Sequence, residues 1–144
     1  MIGILFSIIA GAFMSLQGVF NTKLSEKIGS WETNFVVQLS GAVLTLIIML
    51  IFGKGELREI KNANKLYLFG GVLGVAIIFT VMEGMKNLGP TYAVATILVA
   101  QLITAALIEA FGLFEASKVR FTLNEIIGVV IMIIGIIVFK WKTY

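Results

Sequence analysis

The sequence has no cysteine, no histidine and no aspartate, a single proline in 144 residues, and charge on only 13% of them. Each absence removes a class of protein. Without cysteine there is neither a disulfide-stapled secreted fold nor a thiol nucleophile. Without histidine, cysteine and aspartate the usual metal clusters and a Ser-His-Asp triad cannot be assembled, so neither a catalytic residue nor a metal ligand is expected. No P-loop or dinucleotide fingerprint occurs, so no cofactor is expected either, and any transport must run on a gradient rather than on ATP. Globular chains carry charge on about 25% of residues, so the scarcity of charge excludes a soluble domain. A hydrophobic content of 59% excludes disorder. With a mean hydropathy of +1.04, an integral membrane protein that is not an enzyme is what these absences leave.

A helix needs about 20 mostly apolar residues to cross roughly 30 Å of hydrocarbon, with about 17 to 25 as the working range. Five stretches qualify, 2–20, 35–52, 66–82, 92–114 and 123–139. The expected fold is therefore an all-α membrane protein of five transmembrane helices, with 1–144 as one integral membrane domain. The connections 21–34, 53–65, 83–91 and 115–122 are too short to fold alone. A β-barrel would need alternating strands, and these apolar runs do not alternate.

The punctuation fits. Trp31, Tyr67, Tyr92, Trp141 and Tyr144 fall at or just outside span ends, where an amphipathic ring reaches the headgroups. Pro90 suits the first turn of the fourth helix. Thr122-Leu-Asn-Glu125 reads as a capping box opening the fifth. Ile2–Ile9 followed by Ala10-Gly-Ala12 has the outline of a signal peptide, but no positive charge precedes it and the apolar run continues through Phe20, so a retained helix is expected.

Orientation is read from basic residues in short connections. Five spans put Lys54, Arg58, Lys61, Lys65, Lys118 and Arg120 on one side and Lys23, Lys27, Lys86, Lys140 and Lys142 on the other, six against five. The net charge of +3 is spread over both faces and indicates no nucleic-acid partner. An odd span number with balanced charge lets a second copy insert upside down. Inverted pairs of this kind are a common ground plan of secondary transporters, with the site near the midplane. A dual-topology, antiparallel homodimer of ten helices is the expected assembly. The competing reading is a single orientation with an oppositely inserted paralogous subunit as partner.

Polar groups within hydrocarbon are costly and mark pathways or partners. Glu109 is the one charged residue well inside a span, because Glu125 sits at an end and Glu83 lies just past the third. Gln101, Ala105 and Glu109 follow each other at i, i+4, i+8 and share a helix face. Glu109 reads as a proton-coupling or substrate-pairing carboxylate, with an interhelical or headgroup contact as the structural alternative. Gln101 has interhelical packing as its own alternative. Gln17 with Asn21, and Asn34 with Gln38, form two amide pairs at the same spacing. All four are candidate substrate-binding or coupling residues; helix-end solvation is the alternative that explains Asn21 and Asn34 well, and Gln17 and Gln38, a turn deeper, are the better candidates for a cavity wall or substrate contact. Gly70 and Gly74 in the third span, and Gly128 and Gly135 in the fifth, read as helix-packing or dimer positions.

The order of these residues resembles the YdcZ-like family of five-helix bacterial inner-membrane proteins, within the drug/metabolite transporter superfamily alongside the small multidrug resistance and EamA transporters. Gln17 and Asn21 close the first helix, Gly41 lies in the second, and Gly70-Gly71-Val-Leu-Gly74 in the third. Gly89 precedes the fourth, followed by VAQLITAALIEAFGLF from Val99 to Phe114. The resemblance implies a multi-pass transporter of the bacterial cytoplasmic (inner) membrane working as an antiparallel dimer, with Gln101 facing its central cavity. Two positions depart from the family's pattern, Ala100 where glycine often precedes the glutamine and Glu109 where aspartate is common.

Three functions follow. The first is a secondary active transporter of a small polar or charged metabolite or drug, coupled to a proton or another ion. The second is a passive ion or solute channel, which uphill transport would exclude. The third is a non-transporting subunit that needs a paralogue, which activity of the purified chain would exclude.

Overall fold

The computed structural model describes residues 1–119 and 122–141. Arg120, Lys142 and Tyr144, counted above among the interfacial charges and aromatics, lie outside the described residues. Five α-helices are formed, α1 (Ile2–Ile28), α2 (Ser30–Phe52), α3 (Gly70–Leu88), α4 (Pro90–Phe111) and α5 (Leu123–Lys140), with short 3₁₀ turns at Leu57–Lys61, Lys65–Phe69 and Leu113–Glu115. There is no strand among the described residues. Each of the five helical segments, with the 3₁₀ turn at Lys65 leading directly into α3, is long and apolar enough to cross a bilayer. The five expected spans are thus five helices.

The helix ends differ from the hydropathy boundaries. Residues 21–34, expected to connect two spans, are helical except at Gly29, because a helix does not stop where hydrocarbon stops. The break is conformational. Gly29 has φ 99° and ψ 157°, a region essentially restricted to glycine, and its carbonyl accepts the Thr33 N–H at 3.1 Å to start α2. The fourth helix ends earlier than the apolar run predicts. Gly112 turns left-handed after Phe111, and the Glu109 carbonyl accepts the N–H groups of Gly112 (3.2 Å) and Val119 (3.1 Å). These bonds satisfy an orphan helix-end acceptor.

Other local expectations are met. Pro90 is the first residue of α4. The Thr122 N–H donates to Glu125 Oε2 at 2.7 Å and its hydroxyl donates to the same oxygen, which opens α5 with a capping box. Tyr92 lies in the first turn of α4, with Lys140 Nζ 4.3 Å from its ring centroid.

The chain divides into two compact units, Met1–Asn87 and Leu88–Tyr144. In the first, α1 and α2 pack closely as a helical hairpin. α3 is joined to α2 through side chains. Ser30 meets Glu83, Trp31 stacks on Phe79 with ring centroids 4.4 Å apart, Asn34 reaches the Val75 carbonyl, and Gln38 lies over Gly74. The two helices run antiparallel along this seam. In the second unit α4 packs on α5. Most large apolar side chains point outward, as expected where lipid is the solvent.

Candidate functional site

Hydroxyls and amides solve the problem of hydrocarbon differently. Ser7, Ser15, Thr22, Thr45, Thr80, Thr96 and Thr104 each donate to the carbonyl four residues earlier, at 2.7 to 3.0 Å. Their polarity is absorbed within their own helices. An amide or carboxylate carries more hydrogen-bonding capacity than one backbone carbonyl can meet. The polar groups left over include the sequence's own candidates, Gln17, Asn21, Asn34, Gln38, Gln101 and Glu109.

In the first unit, the reading of Asn21 and Asn34 as solvated helix ends is corrected. They are 6% and 2% exposed, because α1 continues seven residues beyond Asn21 and α2 starts four residues before Asn34. They belong to a polar layer in which Gly18, Thr22, Ser25, Thr33, Met82 and Met85 are also buried. Asn34 Nδ2 donates to the Val75 carbonyl at 2.8 Å. Asn34 Oδ1 and Thr33 Oγ1 are out of solvent with no partner among the described residues. Gln38 is half-buried, and a Cβ at Gly74 would stand 3.1 Å from its Nε2, so Gly74 makes room for this amide. Gln17 is exposed and lines an open groove of about 650 Å³ on α1 with Phe13, Phe20 and Asn21.

Sequence reasoning missed the outer end of this layer. Glu83, set aside as lying past its span, is inside α3 and ties two helices together. Ser30 Oγ donates to Glu83 Oε1 at 2.7 Å, while Lys86 Nζ donates to Ser30 Oγ at 2.7 Å and to Glu83 Oε1 at 3.0 Å. The i, i+3 spacing of Glu83 and Lys86 was the available signal.

In the second unit, Gln101 and Glu109 share one side of α4, both exposed and with no side-chain hydrogen bond or ion pair among the described residues. The side of α4 that meets α5 is different. Ile103, Ala106 and Ala110 line, with Val129 and Val130, a cavity of about 260 Å³ that offers no polar side chain. At 100° per residue, Gln101 and Ala105 point away from that contact and Glu109 flanks them. Within one copy a Cβ at Gly70, Gly128 or Gly135 would meet nothing within 4 Å, so of the four glycines only Gly74 is used for close approach.

Amides, hydroxyls and one carboxylate can desolvate, orient and release a solute, or carry a proton. Among the described residues no group of three or more metal-ligating side chains occurs. Residues 2–138 match the family model described as "Putative inner membrane exporter, YdcZ". No curated protein and no solved structure matches the chain. With the match covering nearly its whole length and five helices to span the bilayer, the chain belongs to the YdcZ family of multi-pass inner-membrane exporter proteins in the drug/metabolite transporter superfamily.

Proposed function

We propose that the protein is a gradient-driven secondary transporter of a small polar or charged solute, acting as an antiparallel pair with its site near the membrane midplane. Membership in an exporter family supports transport in general terms. The observation that carries the finer reading is the α4 face bearing Gln101 and Glu109. An exposed carboxylate in a hydrocarbon-length helix, turned from its packing partner α5, needs either a water-filled cavity or a second chain. An inverted copy supplies both, because two such faces about a pseudo-two-fold axis would enclose a polar space between them. Gln17, Asn21, Asn34 and Gln38, all in the first unit, are proposed as further substrate or coupling contacts. Gly70, Gly128 and Gly135, open in one copy, are proposed as close-approach positions between copies.

The test is flux in proteoliposomes containing only this chain, with a panel of cationic dyes and an imposed pH gradient. Uphill dye movement driven by the gradient is expected. Glu109→Gln is expected to abolish the pH-driven movement with the pair still intact by cross-linking, as removal of an essential coupling carboxylate should. Saturation-free downhill flux would identify a channel. Activity restored only by a paralogous chain would identify a partner subunit.

A further inference from the structure

The connection from α2 to α3 leaves the α-helix at Gly53 and re-enters it at Gly70. Over Leu57–Lys61 it winds as a 3₁₀ helix. With three residues per turn, side chains three apart eclipse one another. This geometry sorts the segment into three edges. Leu57 and Ile60 make an apolar edge, Arg58 and Lys61 a cationic edge, and Glu59 with Asn62 a third, closed by Asn62 Nδ2 donating to Glu59 Oε2 at 2.7 Å. Leu57 and Ile60 are 68% and 52% exposed, so the apolar edge is not folded back onto the helices. Lys54 and Lys65 flank the turn.

Of the described cations outside this segment, three are engaged and two, Lys27 and Lys118, have no ion pair among the described residues and stand alone rather than in a cluster. Lys23 is paired with Glu26 at 2.9 Å, Lys86 with Glu83 at 3.0 Å, and Lys140 rests on the Tyr92 ring. None of Lys54, Arg58, Lys61 and Lys65 has an ion pair among the described residues. Four cations with open donors therefore stand beside an open apolar edge. The segment is also continuous with the exposed apolar ends Leu50–Phe52 of α2 and Leu66–Phe69 leading into α3. That continuity keeps it at the boundary between hydrocarbon and water.

We infer that residues 54–65 are a binding surface for anionic phospholipid headgroups. The apolar edge sinks into the acyl boundary, the cationic edge beside it comes to the depth of the phosphates, and the Glu59–Asn62 edge faces water. Charge complementarity selects the lipid. An anionic leaflet attracts juxtamembrane lysines and arginines, whereas a zwitterionic headgroup offers each cation as much repulsion as attraction. The surface belongs to one copy and does not depend on pairing, so it stands or falls separately from the transport reading.

The experiment uses the full chain in phosphatidylcholine bilayers doped with spin-labelled phosphatidylglycerol or spin-labelled phosphatidylcholine, and reads the motionally restricted fraction of each. The wild type is expected to prefer phosphatidylglycerol by about fivefold or more, what one engaged cation near a charged surface supplies. Replacing Lys54, Arg58, Lys61 and Lys65 together by glutamine should bring the ratio close to one. Replacing Lys23, Lys27, Lys118 and Lys140 by glutamine removes the same charge and should leave the preference in place. A version with Lys54, Lys61 and Lys65 changed to arginine should retain it, which separates lost charge from a damaged fold. No preference in the wild type, a preference surviving the first replacement, or equal loss in both glutamine sets would each overturn the assignment.

Discussion

At the scale of single residues, the buried layer of the first unit sets stability against function. Asn34 gives one hydrogen bond, to the Val75 carbonyl at 2.8 Å, and keeps Oδ1 buried without a partner among the described residues. Interhelical hydrogen bonds in membranes contribute on average about 0.6 kcal/mol, while an unsatisfied buried polar group costs about 1 to 3 kcal/mol. The second term is the larger, so Asn34 is a poor choice for holding α2 to α3. Asn34→Leu, of similar shape and needing no partner, is expected to leave the thermal midpoint in detergent unchanged or raised. The same variant is expected to lower flux in proteoliposomes several-fold, because it removes one of the proposed solute contacts. A substantial fall in the midpoint would mean that the amide is structural after all. Glu109 shows the complementary limit of reading a sequence. Its place on the same α4 face as Gln101 follows from spacing, but spacing cannot say which side of α4 meets α5, and that decides whether the carboxylate is a packing group or an open one.

At the scale of elements, each helix was legible because hydrocarbon thickness fixes how many apolar residues must follow one another. Its ends were not, because helix propensity and hydropathy are different quantities. Thr22-Lys-Leu-Ser-Glu-Lys27 is polar enough to leave the hydrocarbon yet helical enough to continue α1, so the break falls at the one residue whose backbone can turn there. Gly29, at φ 99° and ψ 157°, is therefore expected to resist substitution. Gly29→Ala should destabilise the protein by about 1 to 3 kcal/mol, the cost of holding a side chain in that region. Its added Cβ would also collide with the Glu32 carboxylate. Gly41→Ala is the matched contrast. Gly41 is inside α2, where a Cβ meets nothing within 4 Å, so alanine there should stabilise by about 0.5 to 1 kcal/mol. Opposite shifts of the thermal midpoint in detergent are the expected result, and a neutral Gly29→Ala would show that the α1–α2 corner can relax to another conformation. The α2–α3 seam was illegible for a further reason. Ser30 and Glu83 are 53 residues apart in sequence, and periodicity assigns a residue to a face without naming what the face meets.

At the scale of the whole molecule, the question is which way the chain sits in the bilayer, and an even distribution of basic residues is the only sequence rule that leaves it open. Six basic residues against five give the inserting chain almost no preference, and insertion is decided before folded ion pairs such as Lys23 with Glu26 exist. Equal insertion in both directions is the expected consequence. The absence of cysteine makes this directly measurable, since any introduced thiol is the sole one. Ala63 is exposed in the connection between α2 and α3, and Asn87 is exposed near the end of α3, one span away on the opposite face. Ala63→Cys and Asn87→Cys, labelled separately in intact cells with a membrane-impermeant maleimide, should each react to about half of the total revealed after lysis. Full reaction at one site and protection at the other would fix a single orientation. An antiparallel pair of identical chains would then be impossible, and the inverted half would have to come from a paralogue inserted the other way. Half-labelling at both sites would instead place two opposed α4 faces, each with its Gln101 and Glu109, within one assembly built from this chain alone. The loss of flux in Glu109→Gln could then be attributed to a site to which both copies contribute.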